Sequence, residues 1–305
     1  MRNIRECLTG IDFKDIVATA EGRARDMEPW SNYFRLRAGE MEALLSLYKP
    51  KARGVALDIG SGLGFNTILL KKIYDKVVAS DLYAEDALTH TLGMDKSNNF
   101  LRRMGVDGVE AASSRCEELP FGKDSFDAVY MIYTLEHIKD RARALEEARR
   151  VLKPGGELII VVPNFLERLF YPLSFYRDIL LRLVGYFKRH NGSGKSAAKN
   201  ISAERGSSYP HFPMPEPHGE YADYCSELMK TNTFQWISLA RNSGFAIRDI
   251  FTTMLFPKEL SSFVLGAKAL DYYLKTRRIN NILGRRPFLR SLGQNLCLIL
   301  EKRDA

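Results

Sequence analysis

The sequence predicts an α/β protein with a seven-stranded, mostly parallel sheet, helices on both faces and a helical insertion. Three observations carry that expectation. Short runs of branched apolar residues alternate with stretches whose apolar side chains recur at helical spacing. A glycine-rich loop follows the first such run, in "VALDIGSGLGFNT" (55–67). The interval 165–230 then breaks the rhythm with a long aromatic and basic stretch.

The first fifty residues read as an N-terminal helical segment. "LRAGEMEALLSLY" (36–48) has helical spacing and "KPKARG" ends it. Trp30, Tyr33 and Phe34 either close over a ligand or pack on the sheet. "VALDI" is the first strand, "LLKKIY" continues the helix after the glycine loop, and "KVVASDL" is the second strand. A helix from about Ala84 to Met104 and a weak strand near "GVEAA" follow. "FDAVYMIY" reads as a strand, "DRARALEEARRVL" as an amphipathic helix, "KPGG" as a turn and "ELIIVVP" as a buried strand. Past the insertion come the helix "FQWISLARNSGF" and the strands "AIRDIFTTM" and "QNLCLILEK". Residues 51–164 and 231–305 thus form the sheet domain, and 165–230 an insertion or lid over an acceptor region.

Composition narrows the setting. The apolar content of 45% in 305 residues supports a sizeable core. Cys7, Cys116, Cys225 and Cys297 show no metal-ligand or disulfide spacing, which argues against zinc and suits a reducing cytoplasm. No secretory signal and no run of about 18 apolar residues is expected. The net charge of +8 is that of a solvated surface unless the cations cluster. They do so in "KRHNGSGKSAAKN", after "FLERLFYPLSFYRDILLRLVGYF" (165–187), and in 275–290, which holds six cations and no acid. Pro172 is expected to break or kink the first of these stretches. The aromatic segment reads either as a lid or as an interfacial helix in peripheral contact with an anionic membrane.

Gly60, Gly62 and Gly64 let a ligand lie against the backbone, but the spacing is neither that of a dinucleotide fingerprint nor of a phosphate loop. The third dinucleotide glycine would fall at Phe65, and no Lys-Ser/Thr pair follows. Asp58, two residues before the first glycine, repels a pyrophosphate and attracts an ammonium. Asp81 ends the second strand, where a carboxylate accepts both ribose hydroxyls. A ligand with a ribose, a cationic amine and no phosphate satisfies both. S-adenosyl-L-methionine is such a ligand.

"LDIGSGLG", "SDLY", "EELPFGKDSFDAVYMIYTLEHI" and "ARRVLKPGGELIIVVPN", in this order, resemble the class I S-adenosylmethionine-dependent methyltransferases, specifically the type 11-like subgroup with small-molecule or lipid-like acceptors. The resemblance is strong over about 50–165 and weaker over 217–250 and 290–303. It implies a Rossmann-like fold and methyl transfer to a small-molecule, lipid-like or glycan acceptor. It further implies that Asp58, Gly60 and Gly62 hold the methionine end, Asp81 the ribose and Leu82 the adenine face. Arg115 stands where the family has an acidic adenine contact, which leaves Cys116 and Glu117 to serve. Tyr133 and Thr134 would border the methyl group, and His218 and His137 are the candidate general bases. No Asn/Asp-Pro-Pro motif and no Pro-Cys pair occurs, which disfavours nucleic-acid bases as acceptors. An NAD(P)-dependent oxidoreductase and a non-catalytic S-adenosylmethionine-binding protein are the alternatives.

Overall fold

The computed structural model describes residues 39–41, 43–62, 64–82, 109–190, 217, 220–253, 275, 276, 279 and 282–303. The helix expected over 84–104, the aromatic N-terminal residues, His218 and the basic loop after 190 lie outside the described residues.

Seven strands form one sheet: β1 (Val55–Ile59), β2 (Lys76–Asp81), β3 (Val109–Ser113), β4 (Phe126–Ile132), β5 (Leu152–Pro163), β6 (Phe245–Thr252) and β7 (Asn295–Lys302). Their order is β3-β2-β1-β4-β5-β7-β6, and only β7 runs antiparallel to its neighbours. The order reverses between β1 and β4, so a crevice opens at the carboxyl ends of these two strands, where open α/β sheets take their ligands.

The helices are α1 (39–47), α2 (Phe65–Leu70), α3 (Arg141–Val151), α4 (Phe165–His190), α5 (Tyr224–Lys230) and α6 (Thr233–Asn242). Along β1 and β4 the side chains alternate between two apolar cores. Leu57, Ile59, Val129 and Met131 pack with Leu145 and Ala148 of α3 and Trp236 of α6. Ala56, Ala128 and Tyr130 face the other way, with Met41 and Leu44 of α1 and Leu69 and Leu70 of α2. Burial on both faces is what continuous apolar runs in parallel strands require.

Three local expectations are corrected. "KPGG" is not a turn between α3 and β5 but part of β5. Phe126 pairs with Leu152 and Ala128 with Glu157, so residues 153–156 bulge opposite Asp127 alone. Gly155 takes a left-handed φ of 67° there. Second, α2 stops at Leu70 and "KKIY" closes in turns. Third, α4 runs unbroken through Pro172. Proline lacks the N–H that would bond the carbonyl four residues back, at Arg168. That carbonyl instead accepts from the Tyr224 hydroxyl of α5. Arg168 Nε also lies 3.2 Å from Glu227 Oε1, both buried, so one turn of α4 is fixed to α5 by two independent contacts.

Candidate functional site

The loop after β1 is built by backbone geometry. Gly60, Gly62 and Gly64 have φ of 69°, 54° and 87°, which L side chains rarely adopt. The Gly60 and Ser61 N–H groups both donate to the Ser80 carbonyl, tying the loop to β2. Asp81 closes it from the other side: the Gly62 N–H donates to Oδ2 at 2.6 Å and the Leu82 N–H to Oδ1 at 2.7 Å. Burial raises the Asp81 pKa, and these two donors oppose that shift. Each carboxylate oxygen keeps a second lone pair for a ligand hydroxyl.

Asp58 sits 1% exposed at the end of β1 and accepts from Thr67 Oγ1 at 2.6 Å. Burial pushes its pKa up to about 7, opposed by the Thr67 hydroxyl and reinforced by the negative charge of Asp81. A cation placed beside it reverses that shift, because it restores the favoured state of the carboxylate.

Ser114 N–H donates to the Asp81 carbonyl, bringing the following stretch beside the second carboxylate. Residues 115–118 form a tight turn bridged between Arg115 and Glu118, with Cys116 and Glu117 at its tip. Arg115 folds back on Glu117 at 3.7 Å. The Cys116 thiol is pushed up to about 12, first by burial and then by the charges of Glu117 and Asp81, so it is a packing group with a backbone to offer.

At the end of β4, Tyr133 holds a left-handed φ of 55°, a strained conformation for an aromatic residue. Two bonds hold it there. The Tyr133 N–H donates to the Val161 carbonyl at 2.8 Å, and Thr134 Oγ1 donates to the Ile59 carbonyl at 3.0 Å. Beside it a narrow cleft opens over the carboxyl ends of β4 and β5 and the amino end of β7. Met41, Val161 and Cys297 give it apolar walls, and Glu40 and Asn66 bring polar groups to it. His137 ends a short 3-10 turn (Leu135–His137) and is half-buried.

The structure therefore gathers Asp58, Gly60, Gly62, Asp81, Leu82, Cys116, Glu117 and Tyr133 along one rim, with His137 just beyond. Residues not singled out from the sequence are Thr67, which carries the bond to Asp58, and Ser61. The Ser61 hydroxyl is buried in the glycine loop and finds no partner among the described residues. Neither carries a spacing signal.

These residues fit S-adenosylmethionine. A Cβ on Gly62 would meet nothing within 4 Å, so the space before the loop is open to a ligand. Ser61 Oγ awaits a polar partner, Asp58 favours an ammonium, and Asp81 has capacity for a ribose. Among the described residues no cluster of side chains could hold a metal ion.

Comparison with known proteins agrees. Residues 57–160 match the methyltransferase domain family. The ubiquinone/menaquinone biosynthesis C-methyltransferase UbiE of Cronobacter sakazakii is 31% identical over 154 residues, 48% of this chain and 58% of that protein. Sterol 4-C-methyltransferase strm-1 of Caenorhabditis elegans is 31% identical over 105 residues, 34% of this chain and 29% of that protein. The chain thus spans about half or less of the length of these relatives. Among solved structures, the [4+2]-cyclase SpnF superposes with a TM-score of 0.50 at 15% identity, over 88% of this chain and 82% of that one, a likeness of fold. Over residues 57–160 the chain is thus similar to the methyltransferase domain family, and its seven-stranded sheet and glycine loop are of the kind that binds S-adenosylmethionine.

Proposed function

We propose that this protein transfers a methyl group from S-adenosylmethionine to a carbon atom of an apolar, lipid-like or quinone-like small molecule. The observation that carries the reading is the latch of Gly62 and Leu82 onto Asp81, set beside buried Asp58, at a crevice that opens onto an apolar cleft. Of the two relatives, one is a C-methyltransferase of ubiquinone/menaquinone biosynthesis and the other a sterol 4-C-methyltransferase, which supports this acceptor class. In this reading 51–164 and 231–305 hold the cofactor, and 165–230 covers the acceptor.

S-adenosylmethionine, when bound, supplies a methyl group already activated on a sulfonium sulfur. The residues of this chain then have to orient and desolvate. Asp58 and the Gly60–Gly62 backbone position the amino-acid end, Asp81 the ribose, and Leu82 with the backbone of Cys116 and Glu117 the base. Tyr133, held in its strained conformation, divides the cofactor loop from the cleft and sets the approach of an acceptor. A carbon acceptor releases a proton after transfer, and His137 at the rim and His218 are the groups to receive it. Free thiols at Cys116, Cys225 and Cys297 suit a cytoplasmic location, with the apolar acceptor drawn from a membrane phase.

Thermal denaturation with S-adenosylhomocysteine, with NAD as control, tests the cofactor. At 100 times its dissociation constant a ligand adds about 2.7 kcal/mol of stability. A shift with S-adenosylhomocysteine alone, lost in Asp81→Ala, is the expected result. A shift with NAD alone would overturn the reading.

A further inference from the structure

Helix α4 carries an apolar stripe that the described residues leave exposed. Leu169, Leu173, Tyr176 and Leu180 recur at i, i+4, i+7 and i+11, a single line along the helix, and are 42%, 39%, 40% and 60% exposed. The inner side of the same helix is anchored, since Arg168 is buried against Glu227 and Tyr224. The stripe is therefore the outer face of a fixed element. Isolated exposed apolar residues need no explanation, but an aligned row of four does.

A second apolar group stands at the same end of the molecule. Ile279, Ile282 and Phe288 are 60%, 68% and 78% exposed. Helix α4 begins just past Pro163, which pairs with Asn295 at the start of β7. Asn164 Nδ2 donates to the carbonyls of Arg290 and Ser291, both at 3.2 Å. Both groups thus spring from the carboxyl edge of β5, the same rim that carries Tyr133 and the cleft.

The second group lies in a cation-rich stretch, of which Arg285 pairs with Asp249 at 3.0 Å. Residues 275–290 hold six cations and no acid, and Lys275 and Arg286 are exposed with no carboxylate in ion-pair range among the described residues. Apolar side chains flanked by unopposed cations complement a bilayer interface with anionic headgroups better than they complement a protein core. No described helix is long and apolar enough to cross a membrane, so the geometry is that of an element lying on the surface.

We propose that this rim docks on an anionic lipid bilayer. The stripe of α4 with Ile282 and Phe288 enters the boundary between headgroups and acyl chains, Lys275 and Arg286 lie against the phosphates, and an apolar acceptor passes from the bilayer to the cleft beside Tyr133. The inference rests on the proposed acceptor class, and its test is independent of cofactor binding.

Flotation of the full chain with vesicles decides it. Vesicles of equal parts phosphatidylcholine and phosphatidylglycerol should carry the protein, and vesicles of phosphatidylcholine alone should carry at least tenfold less. Lys275→Gln with Arg286→Gln should weaken binding by about thirtyfold, at about one kcal/mol per cation removed. Leu173→Glu with Leu180→Glu should abolish flotation, and each variant should keep the parent's affinity for S-adenosylhomocysteine in calorimetry. Equal flotation with both vesicle types, none with either, or variants that float like the parent would overturn the proposal. So would light scattering that finds a dimer split by Leu180→Glu, which would assign the stripe to a second copy of the chain. Flotation without S-adenosylhomocysteine binding would leave the docking surface standing and remove the cofactor reading instead.

Discussion

Gly60 and Gly62 share a left-handed backbone but differ in their surroundings. A Cβ on Gly60 would stand 2.2 Å from Thr134 Cγ2, whereas one on Gly62 meets nothing within 4 Å. Gly62→Ala should therefore cost only the backbone term, about 1–2 kcal/mol. Gly60→Ala must also push Thr134 off the Ile59 carbonyl and should cost clearly more, as read from urea denaturation midpoints. Asp58 gives a pH signature. Its folded-state pKa of about 7 lies above the unfolded value of 3.8, so between these values the folded protein holds the extra proton. Stability of the cofactor-free protein should then fall as pH rises through that window, and Asp58→Asn should flatten the dependence. Affinity for S-adenosylhomocysteine should move the opposite way, rising towards pH 7 in the parent and staying level in the Asn variant. Asp58, Asp81 and the glycines were legible in the sequence because short, fixed spacings express their chemistry. The bonds of Thr67 to Asp58 and Thr134 to Ile59 were not, since ordinary threonines acquire those roles only from the folded distance.

At the scale of elements, the periodicities located the strands and α3, but punctuation misled at two places. Proline in "FYPLSF" predicts a break, yet a hydroxyl from another helix repairs the orphaned carbonyl, and no local signal announces Tyr224 as the donor. Tyr224→Phe should remove that repair and destabilise the α4–α5 unit by about 1–3 kcal/mol, seen as faster amide exchange around Arg168 with little change in the sheet. "KPGG" predicts a turn, yet pairing with β4 resumes beyond it and turns the extra residues into a bulge. Where the signal is local it held: Asp140 caps α3 by accepting from the Arg143 N–H at 3.0 Å. Asp140→Ala should cost about 1 kcal/mol, measurable as a lowered Tm.

For the whole molecule, alternating patterns specify how many strands there are and that most are parallel, and short motifs specify the crevice. They do not say that the last strand enters the sheet between two earlier ones. Because β7 lies between β5 and β6, β6 reaches the sheet only through a partner made some forty residues after it. While the chain is being synthesised, the five strands up to β5 can associate, glycine loop included, but the free edge of β5 stays open. A ribosome paused before residue 295 would therefore carry a half-built sheet competent for S-adenosylmethionine yet prone to pair with its neighbours on the polysome. Ligand supplied during translation, by holding the early strands together, would act as a chaperone for the late ones.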